Sequence, residues 1–63
     1  MITITLTGGD HGGTTAEVTQ AGDRVRIASG ARDAVYEARE FEDPETGEIS
    51  LVGVFVGLER RTP

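Results

Sequence analysis

The feature that most constrains this fold is a long β-hairpin in the second half of the sequence. Two runs rich in apolar and β-branched residues, Ala34–Glu42 and Glu48–Leu58, flank the segment Asp-Pro-Glu-Thr-Gly at positions 43–47. In that segment the proline presets φ for a turn, the aspartate can cap it and the glycine supplies a positive φ. The pattern predicts two strands joined by a four-residue loop.

The loop also fixes which residues of the two strands face each other. If residues 44–47 form the loop, Asp43 lies opposite Glu48 and every other pair follows. One face is then predicted to carry the pairs Tyr36–Phe55, Ala38–Gly53 and Ala34–Gly57. The other face is predicted to carry Val35–Val56, Glu37–Val54, Arg39–Val52 and Phe41–Ser50.

The second strand of this hairpin is apolar on both faces, whereas a half-buried surface strand alternates. Leu51 and Phe55 are expected on one face, and Val52, Val54, Val56 and Leu58 on the other. Either a second chain covers one of these faces, or a strongly curved sheet roofs it with a loop. We favour the second chain. The candidate interface residues are Tyr36, Leu51, Val52, Val54, Phe55 and Val56.

The rest of the sequence reads as three shorter strands separated by turns, at Met1–Thr7, Thr14–Gln20 and Arg24–Ser29. Together with the hairpin they predict an all-β fold: a single small antiparallel sheet of about five strands, curled towards a barrel or roll. A short helix over Arg32–Phe41 is the alternative, because that segment contains several good helix formers. We expect one domain over residues 1–59 and a polar tail over 60–63.

Size and composition narrow the class of protein. A 63-residue chain builds a marginal core, and with no cysteine and one histidine it lacks the usual disulfide or zinc supports. Association with a protein partner or with its own copies is therefore expected. The net charge of −5 disfavours nucleic-acid binding. Neither a secretory leader nor a membrane-spanning apolar run is recognisable, so we expect a soluble protein, cytoplasmic at synthesis, with no cofactor.

His11 is the residue best suited to proton transfer near neutrality, and it follows Asp10 inside the glycine-rich segment Gly8–Gly13. Four glycines in six residues are a poor scaffold for catalytic geometry, so we expect a solvated loop histidine and no enzyme activity. Phosphate binding by these glycines is not expected, because the lysine and the following helix of a phosphate-binding loop are missing.

Acidic residues concentrate around the hairpin loop. Five carboxylates fall within nine residues: Glu40, Glu42, Asp43, Glu45 and Glu48. Their spacing does not match a calcium-binding EF-hand loop. A solvated tip is one interpretation, and an acidic prong that docks on a basic protein surface is the other.

The segment Leu6-Thr-Gly-Gly-Asp-His-Gly-Gly-Thr14 resembles the Thr-Gly-Gly-Pro-x-Asp-Gly turn of small β-rich proteins from tailed phages of actinobacteria. It departs from that pattern at Asp10 and Gly12, where the proline and the aspartate would stand. The turn at residues 43–47 is similar to a turn in the second half of the same proteins. The resemblance implies a phage accessory structural protein, with the virion as one expected location, that binds a capsid or tail surface or its own copies. The alternative is a small acidic inhibitor of a host protein, acting as a nucleic-acid mimic.

Overall fold

The computed structural model describes residues 1–60, which form five strands and no helix. The strands are β1 (Ile2–Thr7), β2 (Thr15–Val18), β3 (Arg24–Ser29), β4 (Arg32–Glu42) and β5 (Ile49–Arg60). The all-β prediction is confirmed, and the alternative helix over 32–41 is wrong because β4 pairs with a strand on each side. Arg60, expected in a polar tail, is the last residue of β5, and the rest of that tail lies outside the described residues.

The strands form one sheet in the order β2-β1-β5-β4-β3, nearly closed into a barrel shape. Three neighbouring pairs are antiparallel, as predicted, but β1 and β5 run parallel. The sheet is therefore mixed. The hairpin turns that sequence reasoning recognises dictate antiparallel pairing only between consecutive strands. The pairing of the first strand with the last is set by packing instead.

The core lies on the concave side of the sheet, which we call the inner face. Alternation along each strand sends one apolar set inward, and cross-strand partners share a face. The fully buried members are Ile4, Leu6, Val18, Ala34, Tyr36 and Ala38, with Ala16, Val25, Ile27, Leu51 and Phe55 partly buried against them. The opposite side of the sheet is called the outer face.

The predicted hairpin register holds from Glu42–Ile49, next to the loop, to Tyr36–Phe55, and beyond Tyr36 it shifts by one residue. A bulge between Val35 and Tyr36 places Val35 opposite Gly57 and Ala34 opposite Leu58. The predicted pairs Ala34–Gly57 and Val35–Val56 are therefore wrong, and Leu58 shares the face of Ala34 rather than that of the valines. An extra residue in one strand leaves no reliable mark in sequence alternation.

The glycine-rich segment between β1 and β2 folds over the Tyr36–Phe55 ring pair, whose centroids are 5.3 Å apart. The Tyr36 hydroxyl donates to the Gly8 carbonyl at 2.6 Å and accepts from the His11 amide at 3.3 Å. A Cβ on Gly9, where φ is +67°, would lie 2.8 Å from both the Tyr36 hydroxyl and a Phe55 ring carbon. This close approach requires glycine, and it anchors the loop.

The β4–β5 hairpin extends past the strands that flank it. β3 pairs with β4 only as far as Glu37, after which the Gly22 amide donates to the Ala38 carbonyl and the Ala38 amide donates to the Asp23 carbonyl. β1 pairs with β5 only at Gly53 and Val54. Residues 39–52 have no third strand beside them, and we call this two-stranded extension the arm. It accounts for the elongated shape, 44 × 20 × 15 Å.

Candidate docking surfaces

The outer face of the hairpin exposes a line of apolar side chains. Val52 and Val54 are half-buried, Val56 is 45% exposed, and Phe41 is 52% exposed. These four residues are named the outer stripe. On one side it is bordered by Glu37 and Arg39, which lie opposite Val54 and Val52 and are ion-paired at 2.9 Å. On the other side Thr7 lies beside Val54 and donates its hydroxyl to the Gly53 carbonyl. The stripe is thus apolar at its centre and polar at its borders.

The far end of the same face is closed by the chain's own side chains. Val35 points outward yet is completely buried, and Arg26 lies directly opposite it on β3. Arg26 bonds to Glu59 at 2.6 Å, and weaker ion pairs join Arg24 to Glu59 and Arg26 to Asp33. The aliphatic stem of an arginine held in this way can cover an apolar neighbour. We call these four charged residues, Arg24, Arg26, Asp33 and Glu59, the roof. The sequence did not predict the roof, because its residues come from three strands.

The predicted interface residues fall on two different faces. Val52, Val54 and Val56 belong to the outer stripe, whereas Leu51 and Phe55 are half-buried on the inner face. Tyr36 is 0% exposed and bonded to the glycine loop, so we assign it to the core. The predicted interface omits three exposed large apolar residues of the hairpin: Phe41, Leu58 and Ile49, the last of which is 65% exposed.

The acidic cluster lies on the arm and at its tip. Asp43 has a structural role in the turn: its carboxylate accepts from the Glu45 amide at 2.8 Å, and its carbonyl accepts from Gly47 at 2.7 Å. This is the capped loop that the sequence predicts. Glu40, Glu42, Glu45 and Glu48 are exposed, and within residues 1–60 no ion pair reaches them. The arm therefore carries uncompensated negative charge.

His11 differs from the solvated histidine that the sequence suggests. It is half-buried, its amide bonds to Tyr36, and its Nε2 is enclosed without a hydrogen-bond partner among the described residues. In the described part of the chain, no three or more histidine and carboxylate side chains are grouped to hold a metal ion. Over the same residues, no helix is long and apolar enough to cross a membrane.

A groove of about 520 Å³ lies where β1 and β5 separate. The parallel ladder joins Leu6 to Gly53 and Thr7 to Val54, but the earlier residues of β1 pair with β2 alone. We call this opening the fork. It is lined by Ile2 and Thr3 from β1, Ile49, Ser50 and Leu51 from β5, Glu40 from β4, and Gln20 and Ala21 from the β2–β3 turn. Sequence alone could not reveal it, because the fork depends on the parallel pairing.

The β2–β3 turn that walls the fork is held by Asp23. One carboxylate oxygen accepts from the Thr19 hydroxyl at 2.6 Å, the Thr19 amide at 2.9 Å and the Gln20 amide at 3.2 Å. These bonds, that from the Thr19 hydroxyl first, favour the charged carboxylate and lower the Asp23 pKa below its ordinary value of 3.8. The turn that presents Gln20 and Ala21 is therefore fixed locally.

Comparisons with protein-family models, with curated proteins and with solved structures find no match to this chain. Functional inference therefore depends on the surfaces described above.

Proposed function

We propose that this chain is a non-enzymatic structural and interaction protein that docks through its outer stripe. The first partner we assign to that surface is a second copy of the chain. The observation that carries the proposal is the contrast along one face of one hairpin. Val35 is completely buried and lies opposite Arg26 of the Arg26–Glu59 ion pair, whereas Val56 and Phe41 are about half exposed.

The composition of the stripe suits contact between identical copies. In a two-fold interface the same patch meets itself, so an apolar centre meets an apolar centre. The Glu37–Arg39 ion pair at the border offers one charge of each sign, so that copies related by a two-fold axis can exchange partners there. A small chain gains most from such association, because its own core is marginal.

The setting that we propose for this docking is a phage particle, with the chain as an accessory protein on a capsid or tail surface. The support for that setting is the resemblance carried by the turns at residues 6–14 and 43–47. Self-association through the stripe and attachment to a virion surface use the same chemistry, an apolar sheet face bordered by polar residues.

Sedimentation over a range of concentrations tests the docking surface. Val56→Glu and Val54→Glu should shift the chain from dimer to monomer, because each places a charge in the apolar contact. Thr15→Glu is the matched control, since it adds the same charge at an exposed outer-face position on β2, and it should leave the mass unchanged. A wild-type chain that remains monomeric at every concentration, or equal behaviour of all three variants, would contradict self-association.

A second candidate function is favoured by the uncompensated carboxylates of the arm. In this proposal the chain is a small acidic inhibitor that inserts the arm's tip into a basic site of a host protein. Changing Glu42, Glu45 and Glu48 to Gln together would abolish such binding while leaving assembly intact. Asp43 is kept in that variant because it caps the turn. If the triple variant binds its partner as wild type does, the acidic tip has no docking role.

A further inference from the structure

We propose that the fork between β1 and β5 binds an extended peptide segment of a partner protein, one that carries arginine or lysine at alternate positions. This surface is separate from the outer stripe, because none of the four stripe residues is among the residues that line it. The proposal does not rest on self-association.

Backbone groups of β5 line the fork without strand partners among residues 1–60. The Ala38 amide and carbonyl bond towards β3, to Asp23 and Gly22. Ala38 is paired with Gly53 in the antiparallel β4–β5 ladder, so the Gly53 amide and carbonyl point away from β4, towards β1. The same orientation recurs every second residue along β5, at Leu51 and Ile49. The described β1–β5 pairing ends at Leu6–Gly53, so the groups of Leu51 and Ile49 face the groove. An exposed strand edge of this kind is a template for an added strand.

β1 forms the other wall of the fork and also directs backbone groups into it. The Leu6 amide and carbonyl bond to residues 14 and 13 on the β2 side, so by alternation Thr3 directs its own amide and carbonyl towards the fork. Had the parallel ladder continued, Ile4 would lie opposite Leu51 and Thr3 opposite Ser50. These rungs are absent from the described pairing, and a groove within the size range of binding sites replaces them.

The negative charge beside the fork selects a basic ligand. Glu40 lines the groove and lies opposite Leu51, and Glu42 lies opposite Ile49. All four side chains share the inner face of the arm. A peptide strand paired to the β5 edge would place alternate side chains next to Ile49 and Leu51. An arginine or lysine there lays its aliphatic stem on those two residues and directs its charge to Glu40 and Glu42, which have no ion pair within residues 1–60.

The probe is the hexapeptide acetyl-Arg-Val-Arg-Val-Arg-Val-amide, with binding followed by calorimetry at about 0.15 M salt. Glu40→Gln combined with Glu42→Gln should weaken binding about tenfold, because it removes the charge partners beside the groove. Glu45→Gln combined with Glu48→Gln changes the net charge equally but lies at the tip, so it should change affinity by less than about twofold. Equal loss in the two double variants would overturn the proposal in favour of diffuse charge attraction.

A second peptide tests the strand pairing. The same hexapeptide with alternate backbone nitrogens methylated keeps its charge and side chains but loses edge hydrogen bonds, and it should bind at least about tenfold more weakly. On adding the unmodified peptide, the amides of Ile49 and Leu51 should become protected from hydrogen exchange, and Thr15 on the far edge should not. Equal binding of both peptides, or no binding at a peptide concentration of about 1 mM, would overturn the proposal. Protection of the Ile49 and Leu51 amides that rises with protein concentration in the absence of peptide would also overturn it, because it would assign the fork to a second copy.

Discussion

The two halves of the β4–β5 hairpin share one ladder but differ in what surrounds them. The body half, residues 32–38 with 53–60, pairs with β3 along its β4 side and with β1 at Gly53 and Val54. It contains all four buried positions of β4. The arm, residues 39–52, has no neighbouring strand among the described residues and exposes Phe41 and Ile49. It carries the glutamates that have no ion pair within residues 1–60. Stability is therefore concentrated in the body half, and surface available to a partner is concentrated in the arm and the adjoining stripe.

This difference shows how one hairpin can serve two purposes. An isolated two-stranded ribbon is marginally stable in water, so the arm depends on the body half to hold its register. In return, side chains on the arm contribute little to the core and are available for contact. Substitutions in the two halves should therefore separate folding from binding.

The largest expected effect is the loss of a core side chain beside the body half, at Leu6 of β1, which pairs with Gly53. Leu6 is completely buried, and Leu6→Ala should lower the free energy of unfolding by about 2–5 kcal/mol, through lost burial and a cavity. The arm counterpart is Phe41→Ala, at a side chain that is half exposed. Its cost in dilute protein should be below about 1 kcal/mol. Urea denaturation measures both, and similar losses at the two sites would remove the distinction between the halves.

The next largest loss of stability is expected at Gly9, which lies over the aromatic pair, and it is compared with the loss at Gly47 in the loop of the arm. Gly9→Ala should cost about 1–3 kcal/mol, because the new methyl meets Tyr36 and Phe55 and the backbone has φ +67°. Gly47→Ala has a similar φ of +75° but open space around it, so only the backbone term of about 1 kcal/mol should remain. Thermal unfolding of the two variants should rank them in this order, and the reverse ranking would mean that the loop does not press on the ring pair.

A smaller effect is expected from the roof over Val35. Glu59→Gln removes the partner of Arg24 and Arg26, and should cost up to about 1 kcal/mol, decreasing with added salt. In the arm, Glu45→Gln removes a carboxylate that has no ion pair among the described residues, so stability should stay the same or rise slightly. Chemical denaturation at low and high salt makes the comparison. A salt-independent loss in Glu59→Gln would argue against the ion pairs.

The smallest effect is local and depends on pH. Because the Asp23 pKa is lowered in the folded chain, the Asp23 carboxylate contributes its full stabilisation above pH 3.8. This stabilisation is lost as the pH falls through the folded pKa. On lowering the pH below 3.8, the Thr19 and Gln20 amides should lose their hydrogen-exchange protection at a higher pH than the amides of the strands do. Asp23→Asn should lack this step. If wild type and variant show the same pH profile, the carboxylate does not hold the turn.

Local chemistry explains which parts of the fold the sequence predicts. The Asp43 cap and Gly47 turn fix the loop, and the Tyr36–Phe55 pair follows from it by counting. The bulge at Val35 was not predictable in this way, because one inserted residue changes pairing without changing composition. The parallel pairing of β1 with β5, and hence the fork, depends on contacts between residues nearly fifty positions apart. The apolar valines of β5 were evident from the sequence, but the side chains that cover Val35 were not.

Intermolecular NMR contacts between labelled and unlabelled copies test the outer stripe most directly. In a mixed sample, the methyl groups of Val54 and Val56 should show contacts that cross from one copy to the other, and the buried methyls of Leu6 and Val18 should show none. Cross-copy contacts at Ile49 instead, or none at any methyl in a concentrated sample, would contradict the proposal that a second polypeptide covers the stripe.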